Sequence, residues 1–311
     1  MNRLVAALFL LTASLVHAET WRFAVIGDVP YSRYERNEMP RMLETITAEH
    51  PEFIVHAGDF KLSSGECSDA LFVDRLQLFN SSSVPFIYTP GDNEWTDCRR
   101  LSAGHYDELE RLNKLRTLFF SEPHSLGQQT IPVEQQSIET PENLRWRLGP
   151  VLFLSLNVPG PNNNFGMSRK PSEEYLARNP LLIEWLKQGF AIARREHSAG
   201  IVILMQANPG FKHFAAGLGH SGYRDLLETL LGETLSFPRQ VLLIHGDTHW
   251  HRIDHPLFDR ESGRRVENFT RLETFGYPIM GWAKVIIDTE SPSLFRFESH
   301  AYESEPFPIN R

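Results

Sequence analysis

The chain has 311 residues, of which 41% are hydrophobic, 11% aromatic and 23% charged, and its formal net charge is -8. This composition excludes disordered, collagen-like and disulfide-mesh proteins. Basic residues gather no further than pairs such as Arg99-Arg100, Arg194-Arg195 and Arg264-Arg265, so the footprint of a nucleic-acid binder is missing and no nucleic-acid partner is expected.

At the start of the chain Arg3 precedes an uncharged apolar run from Leu4 to Val16, and Val16-His17-Ala18 stands where a signal peptidase reads. This predicts a signal peptide over residues 1–18 and a single domain over 19–311, periplasmic or secreted. The run is shorter than the roughly 20 residues that span a bilayer, and no cysteine for lipidation follows it, so no membrane anchor is expected. Beyond it, short apolar runs alternate with helical patterns. Strands are predicted at 22–26, 53–55, 86–88, 151–156, 201–205 and 241–244, and helices at 35–50, 69–79, 106–120, 173–195 and 223–231. Two further strands, 282–288 and 294–299, follow without a helix between them, so the order reads as βαβ units closed by antiparallel strands. The chain is α/β. Cys67 and Cys98 are its two cysteines; in an oxidising compartment they are expected to pair, the alternative being two buried thiols.

Runs such as Phe23-Ala24-Val25-Ile26 and Val241-Leu242-Leu243-Ile244 are apolar at every position, as in strands covered on both faces. Four runs end alike, in Gly27-Asp28, Gly58-Asp59, Gly91-Asp92 and Gly246-Asp247. One such ending is an ordinary turn. Four place carboxylates together at the ends of parallel strands, where α/β proteins put their ligands. Carboxylates about 5 Å apart repel by roughly 3 kcal/mol each pair at an effective dielectric near 20, so the cluster calls for protons or cations, and hard oxygen donors favour a divalent metal.

These residues resemble the calcineurin-like metallophosphoesterase superfamily, whose pattern is Asp-x-His, Gly-Asp, Gly-Asn-His-Asp/Glu, a lone His, and Gly-His-x-His. In order, the chain offers Asp28-Val29-Pro30, Gly58-Asp59, Gly91-Asp92-Asn93-Glu94, Gln206, and Gly246-Asp247-Thr248-His249. The resemblance implies a four-layer α/β/β/α metallophosphoesterase-like sandwich with two metals at the sheet edge. Carried over by position, Asp28, Asp59 and His249 hold one metal, with Pro30 in place of a histidine. Asp59 then bridges to a second metal held by Asp92, Gln206 and Asp247. The first site is one ligand short, so one or two divalent ions are expected, and with oxygen donors replacing imidazoles Mn²⁺ or Mg²⁺ is favoured over Zn²⁺.

The activity so implied is hydrolysis of a small phosphomonoester or phosphodiester by a metal-bridging hydroxide. Asp59 and Asn93 are the catalytic positions, but Asn93 stands where the family has a histidine and cannot give up a proton, which predicts weak activity. His251, His213 and His220 are candidate replacements. Lys61, Asn93, Asn163 and His251 are candidate substrate contacts, Lys61 through a phosphate and Asn163 through the loop Asn162-Asn163-Asn164. A disulfide between Cys67 and Cys98 would tie the Asp59 and Asp92 loops, with Glu94 and Trp95 inside the tied segment. No protein partner is signalled. The rival reading is a catalytically degenerate member that binds a phosphate ligand or a partner.

Overall fold

The computed structural model describes residues 19–166, 170–218 and 221–303; the predicted signal peptide and His220 lie outside these residues. The five-stranded sheet contains β1 (Thr20–Ile26), β2 (Ile54–His56), β3 (Phe86–Tyr88), β11 (Gly281–Asp288) and β12 (Phe295–Ala301), in the order β12-β11-β1-β2-β3. β1, β2 and β3 run parallel; β11 and β12 are antiparallel additions. The seven-stranded sheet has the order β4-β5-β6-β7-β8-β10-β9, built from β4 (Glu134–Gln135), β5 (Leu144–Leu148), β6 (Val151–Ser155), β7 (Gly200–Leu204), β8 (Gln240–His245), β9 (Arg252–Asp254) and β10 (Phe269–Glu273). Its centre, β6, β7, β8 and β10, is parallel.

Side-chain alternation along the strands assigns the layers. Val151, Phe153, Val202, Leu204, Leu242 and Ile244 join the core shared with the five-stranded sheet. Their neighbours Leu152, Leu154, Ile201, Ile203, Val241 and Leu243 join a second core beneath α4 (Glu173–Arg195) and α6 (Arg224–Leu235). Residues of α1 (Arg33–Thr47), α2 (Asp69–Asn80) and α3 (Glu108–Phe119) pack into the first core. The arrangement is mixed α/β with two facing sheets and helices outside them. The four Gly-Asp endings therefore do not share one sheet edge: three follow β1, β2 and β3, and the fourth follows β8 of the other sheet. They meet because the two sheets end at the same mouth.

Among the described residues no helix is long and apolar enough to cross a membrane. Cys67 and Cys98 form a disulfide with a Cα–Cα distance of 5.7 Å.

Candidate metal centre

Each aspartate is delivered by the turn that ends its strand. Asp28, Asp59 and Asp247, with His249, take left-handed backbone angles, φ being 53°, 59°, 83° and 58°. Non-glycine residues hold such angles only when their surroundings fix them. The surroundings here are the other loops. The Asp28 carboxylate accepts the Asp247 backbone N–H at 3.0 and 3.3 Å and the Thr274 hydroxyl at 2.9 Å. The glycines of the motifs clear space for one another's carboxylates: a Cβ at Gly246 would stand 2.3 Å from Asp28 Oδ2, and one at Gly91 would stand 2.0 Å from Asp59 Oδ1. Two of the four motif glycines thus admit the aspartate of a different strand, whereas Gly27 makes room for Thr274 and Ala57 and Gly58 for Gln206.

The hydroxyl of Tyr31 is the hub of the first half of the site. It lies 3.1 Å from Asp59 Oδ2, 3.5 Å from Asp28 Oδ1 and 3.2 Å from His249 Nε2, and it accepts a hydrogen bond from Asn93 Nδ2 at 3.1 Å. Tyr31 is held by the start of α1, where Ser32 caps the helix and the Glu35 carboxylate accepts the Tyr31 and Ser32 N–H groups. The Tyr277 carbonyl lies 2.9 Å from His249 Nδ1, which orients Nε2 toward Asp28, 3.7 Å away.

In the second half, Asp247 Oδ2 accepts the Asn208 backbone N–H at 2.8 Å, whereas Asp92 Oδ1 is buried with no hydrogen-bond partner. Both carboxylates face Gly160, where a Cβ would stand 3.0 Å from Asp92 Oδ1 and 3.3 Å from Asp247 Oδ1. Gln206 is present but turned. Its Oε1 accepts the Gly160 N–H at 2.8 Å, so the side chain offers Asp59 Oδ2 its amide N–H at 3.1 Å, not a lone pair. A backbone N–H can only donate, which fixes this orientation. In this arrangement Gln206 meets Asp59 as a hydrogen-bond donor.

Burial pushes the carboxyls of Asp28, Asp59 and Asp92 well above the usual range, and the neighbouring acids push further in the same direction. Asp247, for the same first reason, is pushed up to about 6. Among the described residues none of the four pairs with a lysine or arginine; the nearest ionic contact is that of His249 with Asp28. Such a group of buried oxygen donors without a direct lysine or arginine pair fits a hard divalent cation, and the unpartnered Asp92 Oδ1 marks where a ligand is owed. The donors spread over the mouth and are not drawn onto one point. The described donors that do gather within 4.8 Å of one another are Glu49, just past α1, and Glu298 and His300 of β12, where Lys284 bridges the two glutamates at 2.8 and 2.5 Å.

Several predicted contacts serve the scaffold. Lys61 is buried and donates to the Leu62 and Asn93 carbonyls at 3.0 and 2.7 Å, which leaves it facing backbone instead of a substrate mouth. Asn163 is fully buried; its amide bonds Asn179 and the Gly222 carbonyl while Arg178 donates to its Oδ1. His251 stacks on Phe275 at 3.9 Å, with its ring nitrogens at the Glu273 carbonyl and the Ser299 hydroxyl. Asn93 does sit at the centre, though both its amide hydrogens are engaged, by Tyr31 and the Lys61 carbonyl. Glu94, buried and pushed up to about 7 by that burial, accepts the backbone N–H groups of Phe60 and Gly91 and so ties the Asp59 and Asp92 loops. Trp95 is fully buried beside it.

Residue motifs did not announce Tyr31, Thr274, Asn208 or His56. His56 accepts the Gly58 N–H at Nδ1 and its Nε2 lies 2.7 Å from the Val29 carbonyl, joining the loops of Asp59 and Asp28 as a neutral ring. For Tyr31 the available signal was its place one residue after Pro30, the position lacking its expected histidine.

The model of the calcineurin-like phosphoesterase family matches residues 22–251, and the chain belongs to that family. None of the curated protein sequences compared with it matches. Solved structures of similar fold include GAP50, the anchor in the inner membrane complex of Plasmodium, at 11% identity and a TM-score of 0.52, covering 92% of this chain and 90% of that one. Purple acid phosphatase PPD1 from yellow lupin (Lupinus luteus) seeds matches at 14% identity and a TM-score of 0.52, with 91% of this chain aligned to 54% of that one. PhoD matches at 13% identity and a TM-score of 0.51, covering 93% and 73%.

Proposed function

We propose that the protein is an exported, metal-dependent phosphoester hydrolase acting on small phosphoesters. The observation that supports it most is the convergence of Asp28, Asp59, Asp92 and Asp247 from two sheets onto one mouth, with His249 and, among the described residues, with no direct ion pair to a lysine or arginine. Asp28, Asp59 and His249 would hold a first cation, with the Tyr31 hydroxyl supplying the donor that Pro30 cannot. Asp59, Asp92 and Asp247 would hold a second. Divalent cations bound there supply Lewis-acid stabilisation of phosphoryl oxygens and lower the pKa of water. The hard donor set favours Mn²⁺ or Mg²⁺ over Zn²⁺. Around them, Asn93 and Gln206 orient Tyr31 and Asp59 through their amides, and neither can pass a proton to a leaving group. Slow turnover restricted to good leaving groups follows, because general acid catalysis contributes typically 10²- to 10⁴-fold.

The same absence of a proton donor, with the turned Gln206, favours a second reading: a binding protein that keeps the fold. The shared fold alone does not choose, since it serves an anchor as well as phosphatases. The deciding assay is hydrolysis of p-nitrophenyl phosphate by the mature protein with Mn²⁺ or Mg²⁺ and then with EDTA. Chelator-sensitive turnover is expected; none with either metal on this easy leaving group would replace the hydrolase with the binding protein.

A further inference from the structure

Beside the carboxylate mouth lies a cavity of about 990 Å³ between α5 (Phe211–Ala215) and β9, and its lining has the opposite character. Asn208 belongs to both places: it lines the cavity, and its N–H holds Asp247 Oδ2 at 2.8 Å. Four fixed cations, Lys212, Arg252, Arg265 and Arg271, face the cavity with one carboxylate, Asp254, in a chain whose net charge is -8. Two of the four are spent. Arg271 pairs with Asp254 at 2.7 Å and Arg252 with Glu273 at 2.7 Å. Lys212 and Arg265 are exposed and have no ion-pair partner among the described residues. Between the cations stand the apolar walls Phe211, Ile253, Pro256 and Phe258, of which Ile253 and Phe258 are 37% and 36% exposed. The volume reaches the upper end of the range for pockets that enclose small organic ligands.

We infer that this cavity is the leaving-group subsite of the proposed hydrolase, and that it selects phosphoesters whose leaving group carries a second phosphate on an aromatic or apolar body. The scissile phosphate lies at the Asp247 side of Asn208; the body packs on Phe211, Ile253 and Phe258; the second phosphate meets Lys212 and Arg265. Paired cations would gain little from an anion, whereas two unpaired ones gain charge-assisted hydrogen bonds. The apolar walls give the pocket a use that a free inorganic anion does not exploit. The inference rests on the hydrolase reading for its orientation, and on the cavity alone for its ligand.

The test uses adenosine 3′,5′-bisphosphate as probe, with adenosine and p-nitrophenyl phosphate as controls. Calorimetric binding is measured on the Asp59→Asn protein, in which hydrolysis does not intervene, and on the same protein carrying Lys212→Ala and Arg265→Ala. The bisphosphate should bind at least tenfold tighter than adenosine, lose at least tenfold in the triple variant, and lose more at low than at high salt. With otherwise wild-type protein, Lys212→Ala/Arg265→Ala should lower kcat/KM for the bisphosphate at least tenfold and leave that for p-nitrophenyl phosphate within twofold. Both residues are exposed, so folding is checked simply by the melting temperature. Bisphosphate affinity equal to that of adenosine, no binding at all, or affinity unaltered by the two substitutions would overturn the subsite. Pocket-dependent binding without turnover of either ester would instead keep the subsite and remove the hydrolase.

Discussion

The two halves of the carboxylate mouth are built from the same residue type and are finished differently. Around Asp28 and Asp59 the protein supplies its own partners: the Thr274 and Tyr31 hydroxyls, the Asp247 and Asn93 N–H groups and the Gln206 amide. Around Asp92 it supplies little, and Asp92 Oδ1 is buried with none. A carboxylate with several donors is held in place without a cation, whereas a buried one without donors costs stability until something positive arrives. The first half is therefore a preorganised cradle, and the second is the half whose stability depends on its ligand.

The largest effect expected from breaking this contrast comes at the residue common to both halves. Asp59→Asn should lower the metal-dependent rate by several kcal/mol of barrier, on the order of 10³-fold, while far-ultraviolet circular dichroism stays unchanged. A variant with undiminished kcat would show that the halves are not joined through Asp59.

A smaller effect belongs to the scaffold under the first half. Burial pushes His56 down to about 4 from an ordinary value of 6.5. The folded state keeps the ring neutral while the unfolded chain takes up a proton, so this contribution is complete above pH 6.5 and is lost as pH falls toward 4. The shift corresponds to about 3 kcal/mol. Denaturant titrations between pH 7 and 4 should show a steeper loss of stability for the wild type than for His56→Asn; superimposable acid limbs would remove His56 from the account of how the Asp28 and Asp59 loops are held.

The sequence made the strand-end aspartates legible because Gly-Asp after an apolar run is a local signal, and it located helix 173–195 to the residue because both its ends carry strong local markers, Ser172 as cap and Arg194-Arg195 in the last turn. Long-range roles were not legible. Tyr31 acquires its meaning from Asp59 and His249, 28 and 218 residues away. β10 went unread because Phe-Thr-Arg-Leu-Glu looks like a polar edge, yet all five residues are buried. Arg271 and Glu273 are tolerated there because Asp254 and Arg252 on β9 neutralise them. That strand carries the chain directly to Thr274 and hence to Asp28. Lys61 and Asn163 read as loop residues open to a ligand, whereas both turn inward to satisfy backbone groups that the folded loops would leave buried.

The smallest expected effect is also the one that isolates the second half. Replacing Asp92 by Asn removes a buried carboxylate whose Oδ1 has no hydrogen-bond partner, which should stabilise the metal-free protein by about 1 to 2 kcal/mol. It also deletes a donor from the proposed second cation site. The measurement is therefore thermal unfolding of wild type and Asp92→Asn in EDTA and with Mn²⁺ in excess. The wild type should melt lower than the variant in EDTA and rise by several degrees with Mn²⁺, a cation at about 100 times its Kd contributing roughly 2.7 kcal/mol, while the variant gains distinctly less. A wild type that neither melts below the variant in EDTA nor responds to Mn²⁺ would contradict a second half whose stability depends on a cation.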